Sequence, residues 1–374
     1  MLKKINNSLQ LILIIMIVSG LCASVNAQSL EEVMKARGLT QTDILAAAKT
    51  YTPSGKIDEY VVFSSGGQSG QVIVYGVPSM RILKYISVFT PEPWQGYGYG
   101  DDESMDIIYN QGSIRGKTIT WGDTHHPALS ETAGEYDGQY VFINDKANPR
   151  IAVIDLKTFS TTQIVANPIM KNEHGATFVT PDTEYIIEAS QIPAPFTNDY
   201  VPLTEYNEKY RGAMTMWKFS KKKGKILEKN SFSVELPPYC QDLSDAGKKI
   251  SKGWVFTNSF NSERYIGGFG PGNTKWKDRL PHEAGMSSKD TDYLHMINLE
   301  TAIKLFEQGK YDTINGHAVI SMDTMVANNA LFLIPEPKSP HGVMINPTGQ
   351  YLTVSGKLDT HVSVYDFKKM MKLV

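Results

Sequence analysis

Histidines are the side chains of this sequence whose placement points most directly to chemistry. Two of the eight are adjacent, His125 and His126, in the segment Gly-Asp-Thr-His-His-Pro at 122–127. His174 and His341 are each followed by glycine, and each precedes a predicted turn and a strand that begins with tyrosine. Imidazole is the commonest protein ligand of metals, so these four residues are candidate metal ligands.

The adjacent pair limits the kind of metal site. Successive side chains of a strand point to opposite faces, so His125 and His126 are not expected to reach one small ion easily. They could reach an extended, multinuclear cluster, particularly because Pro127 restricts the backbone of the residue before it. Asp123 is expected on the face of His125, where its carboxylate would accept the proton of the nitrogen that does not bind metal. An imidazole shell without thiolate suits copper or zinc, and the affinity order favours copper.

Composition indicates an ordinary folded protein. The 374 residues are 41% hydrophobic and 20% charged, which is enough apolar material for a sizeable core. A formal net charge of −2 does not indicate a positively charged surface that would bind a phosphate backbone, so nucleic acid is not an expected partner. The two cysteines, Cys22 and Cys240, exclude a disulfide scaffold.

The N-terminus has the three regions of a secretory signal. Lys3 and Lys4 are followed by an apolar run at 11–18 and by a small residue, Ala27, at the expected cleavage site. The apolar run is shorter than the roughly 20 residues of a membrane span, so residues 1–27 are predicted to be cleaved on export. Residues 28–58 are predicted to be helical, beginning with a capping box in which Ser29 precedes Glu32.

The pattern of residues 59–374 predicts many short strands, and these strands form a repeated unit. Residues 138–157 align without gaps with 349–368, each forming a strand, a polar turn and a second strand. A similar unit spans 60–75, and partial units begin at 181 and 291. A repeated antiparallel unit, whose apolar faces need neighbouring units to cover them, indicates an all-β fold and a β-propeller. A β-sandwich is the alternative, but it would not explain a repeated histidine position.

The propeller prediction gives the repeated histidines a common location. Equivalent positions at the start of innermost strands face the central axis, so His126, His174 and His341 are expected to converge there. A structural role stays open at this point, because each imidazole could instead tie one turn to the next through a hydrogen bond.

Four segments resemble the nitrous-oxide reductase family. They are the His-His-Pro segment at 122–127, the Tyr-Asp-Gly-Gln-Tyr-Val-Phe-Ile-Asn-Asp-Lys-Ala-Asn-Pro-Arg-Ile-Ala stretch at 136–152, Glu-His-Gly at 173–175 and Pro-His-Gly at 340–342. The resemblance runs through nearly all of the mature chain and suits the Sec-exported branch of the family. It implies a seven-bladed propeller whose axis holds a tetranuclear copper-sulfide cluster bound by seven histidines. By motif, the residues that match four of these ligands are His125, His126, His174 and His341.

The resemblance also implies a calcium site near the axis. Glu263 and Asp292 match carboxylate ligands of the family, and Met286 matches a residue that binds through its carbonyl oxygen. Phe260 stands where the family usually has tyrosine, and Ser339 stands where it has asparagine. Mixed carboxylate and carbonyl shells are typical of calcium. Solvated loop carboxylates without a cation are the alternative.

The sequence departs from the family after the strand pair that follows His341. About four blades are expected here, and the blades with the other three histidines are not found in this sequence. A cupredoxin domain with a dinuclear copper site is also not found. The chain is therefore predicted to be the N-terminal part of a longer enzyme, with an unpaired sheet edge that favours aggregation.

The activity that the resemblance implies is reduction of nitrous oxide to dinitrogen and water in the periplasm. Electrons would come from a small donor such as a cytochrome c, and the family resemblance suggests a homodimer. Two other functions stay open: an inactive fragment, and a non-catalytic binding propeller in which the histidines only brace turns between blades.

Overall fold

The structure is a computed structural model that describes residues 28–91, 105–175, 177–260, 292–336, 339–357 and 359–374. The predicted signal at 1–27 lies outside the described residues, as do Glu263 and Met286. Contacts divide the chain into two compact units, one of residues 1–60 with 76–81 and one of residues 61–75 with 82–374.

Two capped helices lie within the segment 28–58, and residues 51–58 of that segment are not helical. Helix α1 spans Leu30–Arg37, where Ser29 and Glu32 form the predicted capping box and Gly38 ends the helix in the left-handed conformation with φ of 64°. Helix α2 spans Gln41–Thr50 and begins with a second capping box. No helix among the described residues is long and apolar enough to cross a membrane.

The first two sheets follow the order of the chain. Strands β1 (Tyr60–Ser65), β2 (Gln71–Val77) and β3 (Ile82–Ser87) form a three-stranded sheet in that order. Strands β4 (Thr124–Thr132), β5 (Glu135–Asp145), β6 (Arg150–Asp155) and β7 (Ser160–Ala166) form an antiparallel four-stranded sheet. The predicted repeat at 138–157 corresponds to β5 and β6.

The third sheet has seven strands, of which β8, β9, β10 and β12 form its blade. Their bounds are Phe178–Val179, Tyr185–Ala189, Gly212–Ser220 and Phe232–Leu236, and helix α3 (Tyr206–Lys209) precedes β10. Strand β11 (Lys225–Ile226) pairs with β10. The outer edge is extended by β17 (His317–Ile320), which runs parallel to β12, and by β16 (Asp312–Ile314).

The fourth sheet consists of two antiparallel groups. The first group comprises β13 (Gln241–Ala246), β14 (Trp254–Ser259), β15 (Asp292–Asn298) and β18 (Leu331–Glu336). The second comprises β19 (Pro340–Ile345), β20 (Tyr351–Gly356) and β21 (Val362–Asp366). A single parallel pair, Leu243 with Gly342, joins β13 to β19.

Three helices accompany the strands of this sheet. Helices α4 (Leu299–Glu307) and α5 (Met322–Ala327) lie in the chain between β15 and β18, and α6 (Phe367–Met370) follows β21.

Adjacent sheets pack face to face through alternating side chains. In β5, Val141 belongs to the core shared with the first sheet, whereas Phe142 faces the third sheet. In β9, Ile186 faces the second sheet and Ile187 faces the fourth. Because neighbouring residues of a strand point to opposite faces, each central sheet contributes to two cores.

Hydrogen bonds connect the first strands of successive sheets. Thr177 Oγ1, just before β8, donates to the carbonyl of His126 at 2.7 Å. The Ser244 amide of β13 donates to the carbonyl of Gly175 at 3.2 Å, and β13 then pairs with β19. The order β4, β8, β13 and β19 is that of neighbouring innermost strands, so the predicted all-β propeller architecture is confirmed.

Candidate metal centre

A bulge at the start of β4 positions the adjacent histidines. The register with β5 shifts between His125 and Ala128, and His126 adopts a left-handed backbone with φ of 48°. Their ring centroids are consequently 4.8 Å apart, at an interplanar angle of 80°. The expectation that the two side chains would point to opposite faces is wrong, because the bulge breaks the alternation of the strand.

His174 approaches both rings from the segment before β8. Its Nε2 is 3.3 Å from Nε2 of His126, and its ring centroid is 5.2 Å from that of His125. One nitrogen from each of these three residues lies within 4.8 Å of the others. The following residue must be small, because a Cβ on Gly175 would lie 2.8 Å from the carbonyl oxygen of Ala189.

His341 joins the group from β19. Its ring centroid is 5.8 Å from that of His174. Ligand atoms of His174, His341 and Asp242 all lie within 4.8 Å of one another, and the side chain of His341 is exposed. The structure therefore brings the four predicted histidines together as two overlapping groups that share His174.

Two carboxylates orient these imidazoles. Asp123 Oδ1 lies 3.2 Å from Nδ1 of His125, the contact that the sequence predicts. Asp242 Oδ1 lies 3.1 Å from Nδ1 of His174, and Asp242 is buried. A carboxylate that accepts the Nδ1 proton leaves Nε2 available as a metal ligand. Asp242 was not predicted, because it comes from β13 and no local spacing connects it to a histidine.

The electrostatic environment keeps His126 neutral. Burial, followed by the neighbouring His174, His125, His341 and Lys146, lowers its pKa to about 3. A neutral imidazole is the form that binds metal. The ring is thus in a metal-competent state at neutral pH.

A buried ion pair supports the loop that precedes His125. Arg150 Nε lies 2.7 Å from Asp145 Oδ2, and both side chains are fully buried. Asp145 Oδ1 accepts the Asp123 amide at 2.8 Å, and Arg150 donates to the carbonyl of Trp121 at 3.2 Å. Gly122 packs against this pair so closely that a Cβ there would lie 2.1 Å from Asp145 Oδ2. These contacts hold the loop at 121–123 against residues 145–150.

Glu173, the residue before His174, and Glu188 are two buried carboxyl groups. Burial and the charge of Glu188 raise the pKa of Glu173 well above its usual range, and burial raises that of Glu188. Glu188 Oε1 accepts hydrogen bonds from Asn167 Nδ2 at 2.6 Å and from Trp217 Nε1 at 3.0 Å. Because Glu188 has these two donors, we expect the negative charge on Glu188 and the proton on Glu173.

Of the predicted calcium ligands, three lie among the described residues. Asp292 and Ser339 are buried, and the Ser339 amide donates to Asp292 Oδ2 at 2.6 Å. Phe260 is buried, and its amide donates to the carbonyl of Cys240. Glu263 and Met286 lie outside the described residues, so the structure places only part of this expected set.

Sequence comparisons identify relatives of known activity. No family model matches the chain. It is 30% identical over 325 residues to a nitrous-oxide reductase of Pseudomonas fluorescens, which covers 85% of this chain and 46% of that protein. It is 27% identical over 334 residues to the nitrous-oxide reductase of Stutzerimonas stutzeri, and this match covers 87% of this chain and 47% of that protein. The chain thus spans about half the length of the curated relatives that it matches. Among solved structures, Kuenenia stuttgartiensis hydrazine synthase matches with a TM-score of 0.43 and 12% identity, over 82% of this chain and 80% of that one.

Proposed function

We propose, from the chain's similarity to nitrous-oxide reductases over 85% of its length, that it forms the N-terminal part of such an enzyme. The complete enzyme would reduce nitrous oxide to dinitrogen and water, consuming two protons and two electrons. The observation that carries this proposal is the convergence of His125, His126, His174 and His341 from three separate segments.

The donor set fits copper. Among the described residues, imidazole nitrogens of the four histidines meet at this site, with the Asp242 carboxylate beside His174 and no thiolate. A copper-sulfide cluster, when bound, would deliver electrons and polarise the weakly binding substrate. Neutral imidazoles with Nδ1 held by Asp123 and Asp242 would present Nε2 to the metal. The bulge at His126 permits two ligands from adjacent positions.

Other features of the proposal follow from the family resemblance. The remaining three cluster histidines and the dinuclear copper site would belong to the half of the relatives that this chain does not span. The protein would work in the periplasm, accept electrons from a small donor such as a cytochrome c, and act as a homodimer when complete. An exported protein would acquire its copper outside the cytoplasm.

Metal analysis of the purified chain tests the copper proposal. The chain would be produced with copper supplied and compared with a His126→Ala/His174→Ala double variant. We expect the unaltered chain to retain copper above the level of the variant, but fewer than four ions per chain, because only four of the seven expected ligands are present. Copper at the variant's level would favour a non-catalytic propeller, and four ions with nitrous-oxide turnover would overturn the partial-site proposal.

A further inference from the structure

The backbone of Gln191 links the segment that carries His174 to the strand that carries Asp242. Gln191 lies just after the end of β9. Its amide donates to Asn172 Oδ1 at 3.1 Å, and Asn172 comes two residues before His174. Its carbonyl accepts the amide of Gln241 at 2.9 Å, and Gln241 directly precedes Asp242 in β13. One residue is therefore held by both segments.

The side chain of Gln191 reaches the ring of His174. Its Nε2 lies 3.4 Å from Nδ1 of His174, and Asp242 Oδ1 lies 3.1 Å from the same nitrogen. An ionised carboxylate can only accept hydrogen bonds, so Nδ1 carries the hydrogen. A half turn about the last side-chain bond exchanges the nitrogen and the oxygen of the Gln191 amide. Its oxygen, Oε1, can thus be a second acceptor of the hydrogen on Nδ1.

We propose that Gln191 is a positioning residue of the metal centre, which holds the ring of His174 so that Nε2 is presented for metal binding. This inference rests on the proposed function. Asp242 fixes the tautomer because it can only accept, whereas Gln191 restricts rotation of the ring because its backbone is tied on both sides. Side chains that orient a ligand in this way raise metal affinity without touching the metal.

The loop around Gln191 has contacts that do not depend on its side chain. The Ile192 amide donates to Asn172 Oδ1 at 2.6 Å, and Asn172 Nδ2 donates to the Ile192 carbonyl at 3.1 Å. The Gly175 amide donates to the carbonyl of Ala189 at 3.0 Å. A substitution of the Gln191 side chain therefore leaves the backbone contacts of this loop in place.

Competition with a copper chelator tests the proposal. Gln191→Leu replaces the amide with an apolar group of similar size, and we expect it to lower copper affinity about tenfold. Gln139→Leu, an exposed position in β5, is the matched control and should leave the affinity unchanged. If Gln191→Leu does not fold, Gln191→Asn serves instead, because it keeps a polar amide that is one methylene too short to reach the ring. Unchanged affinity in the folded variant overturns the proposal.

The same substitution in the Asp242→Ala background separates positioning of the ring from general support of the loop. Without the carboxylate, the Gln191 amide can present either atom to Nδ1 and favours neither tautomer. We therefore expect Gln191→Leu to lower copper affinity by less than about threefold in this background. A residue that only supports the loop would lower the affinity by the same factor in both backgrounds, and that result contradicts the proposal.

A measurement on the copper-free chain distinguishes this proposal from the proposed function. In protein with ¹⁵N-labelled histidines, the Nδ1 hydrogen of His174 is identified by its loss in His174→Ala. We expect this hydrogen to exchange with water about threefold faster in Gln191→Leu than in Gln139→Leu, because one of its two acceptors is gone. Equal exchange in the two variants overturns the proposal whether or not the chain binds copper. Faster exchange in a chain that binds no copper would support the positioning of the ring and contradict the proposed function.

Discussion

Nε2 of His126 lies 3.3 Å from Nε2 of His174, although 48 residues separate them in sequence. His174 is buried and His126 is partly buried, and the lowered pKa of His126 favours its neutral form. Two imidazole nitrogens at this distance need a shared proton or a metal ion to avoid repulsion between their lone pairs. The pair is therefore the most informative place to test metal binding.

Removing one member of this pair should reduce copper binding. We expect His126→Ala to lower the copper content of the purified chain and to abolish any rise in melting temperature on adding copper, because the remaining histidines lose their nearest partner. Metal analysis and thermal unfolding measure the two effects. His361→Ala is the matched control, since that side chain is 82% exposed and lies outside the site. Equal copper binding by both variants would argue against the site.

Asp242 should affect copper affinity by orienting the ring of His174. Asp242→Ala removes the acceptor for Nδ1 of His174, so the ring is no longer fixed in the tautomer that presents Nε2. Loss of such a partner typically lowers metal affinity by about 10- to 100-fold. Competition with a copper chelator measures this change, and Asp312→Ala, an exposed position in β16, serves as the control. Unchanged affinity in Asp242→Ala would show that His174 does not depend on this carboxylate.

The buried ion pair between Arg150 and Asp145 should be important for stability. Arg150→Met removes the guanidinium and leaves Asp145 charged in a fully buried position. Breaking a buried pair in this way typically costs about 3–5 kcal/mol of the free energy of unfolding. Urea denaturation measures the loss. The double variant Arg150→Met/Asp145→Asn should recover part of it, because the uncompensated charge is gone. A loss below about 1 kcal/mol in the single variant would contradict this role.

The sequence repeat predicts much of the fold, but it does not predict the local backbone conformation. The strand pairs at 138–157 and 349–368 follow from their alternating apolar residues, and the shared position of His174 and His341 predicts their convergence. The left-handed conformation of His126 could not be predicted, because Pro127 favours extended backbone at that position. Asp242 belongs to a strand whose partners are set by sheet packing, so local sequence gives no sign of its neighbours.

Asp245 should make stability depend on pH. Burial raises its pKa from the ordinary value of 3.8 to about 6 in the folded protein. A carboxyl group with a raised folded pKa binds its proton more tightly when folded, so its contribution is fully present below about pH 4 and is lost as the pH rises to about 6. The shift corresponds to about 3 kcal/mol between these limits.

Urea denaturation at pH 4.0 to 7.0 measures this dependence. The Asp245→Asn variant should show a flatter pH profile than the unaltered chain, because its side chain cannot ionise. The Ile345 amide donates to Asp245 Oδ2 at 2.9 Å and the Ala246 amide donates to Oδ1 at 2.8 Å. Because asparagine has only one oxygen, the same variant should also lose stability by an amount that is independent of pH. Parallel pH profiles for the two proteins would contradict the raised pKa.

The outer face of β19, β20 and β21 should promote self-association. Met344, Val362 and Val364 are 67%, 63% and 62% exposed on this sheet, whereas the opposite face buries Val343, Leu352 and Val354. An exposed apolar face beside an edge strand is a common site of association between chains. We expect Val362→Lys/Val364→Lys to lower the apparent mass in light scattering at high protein concentration. Ile250→Lys, another exposed apolar position that lies in the 3-10 turn Lys249–Ser251 between β13 and β14, should leave it unchanged. Equal association of both variants would place the contact elsewhere.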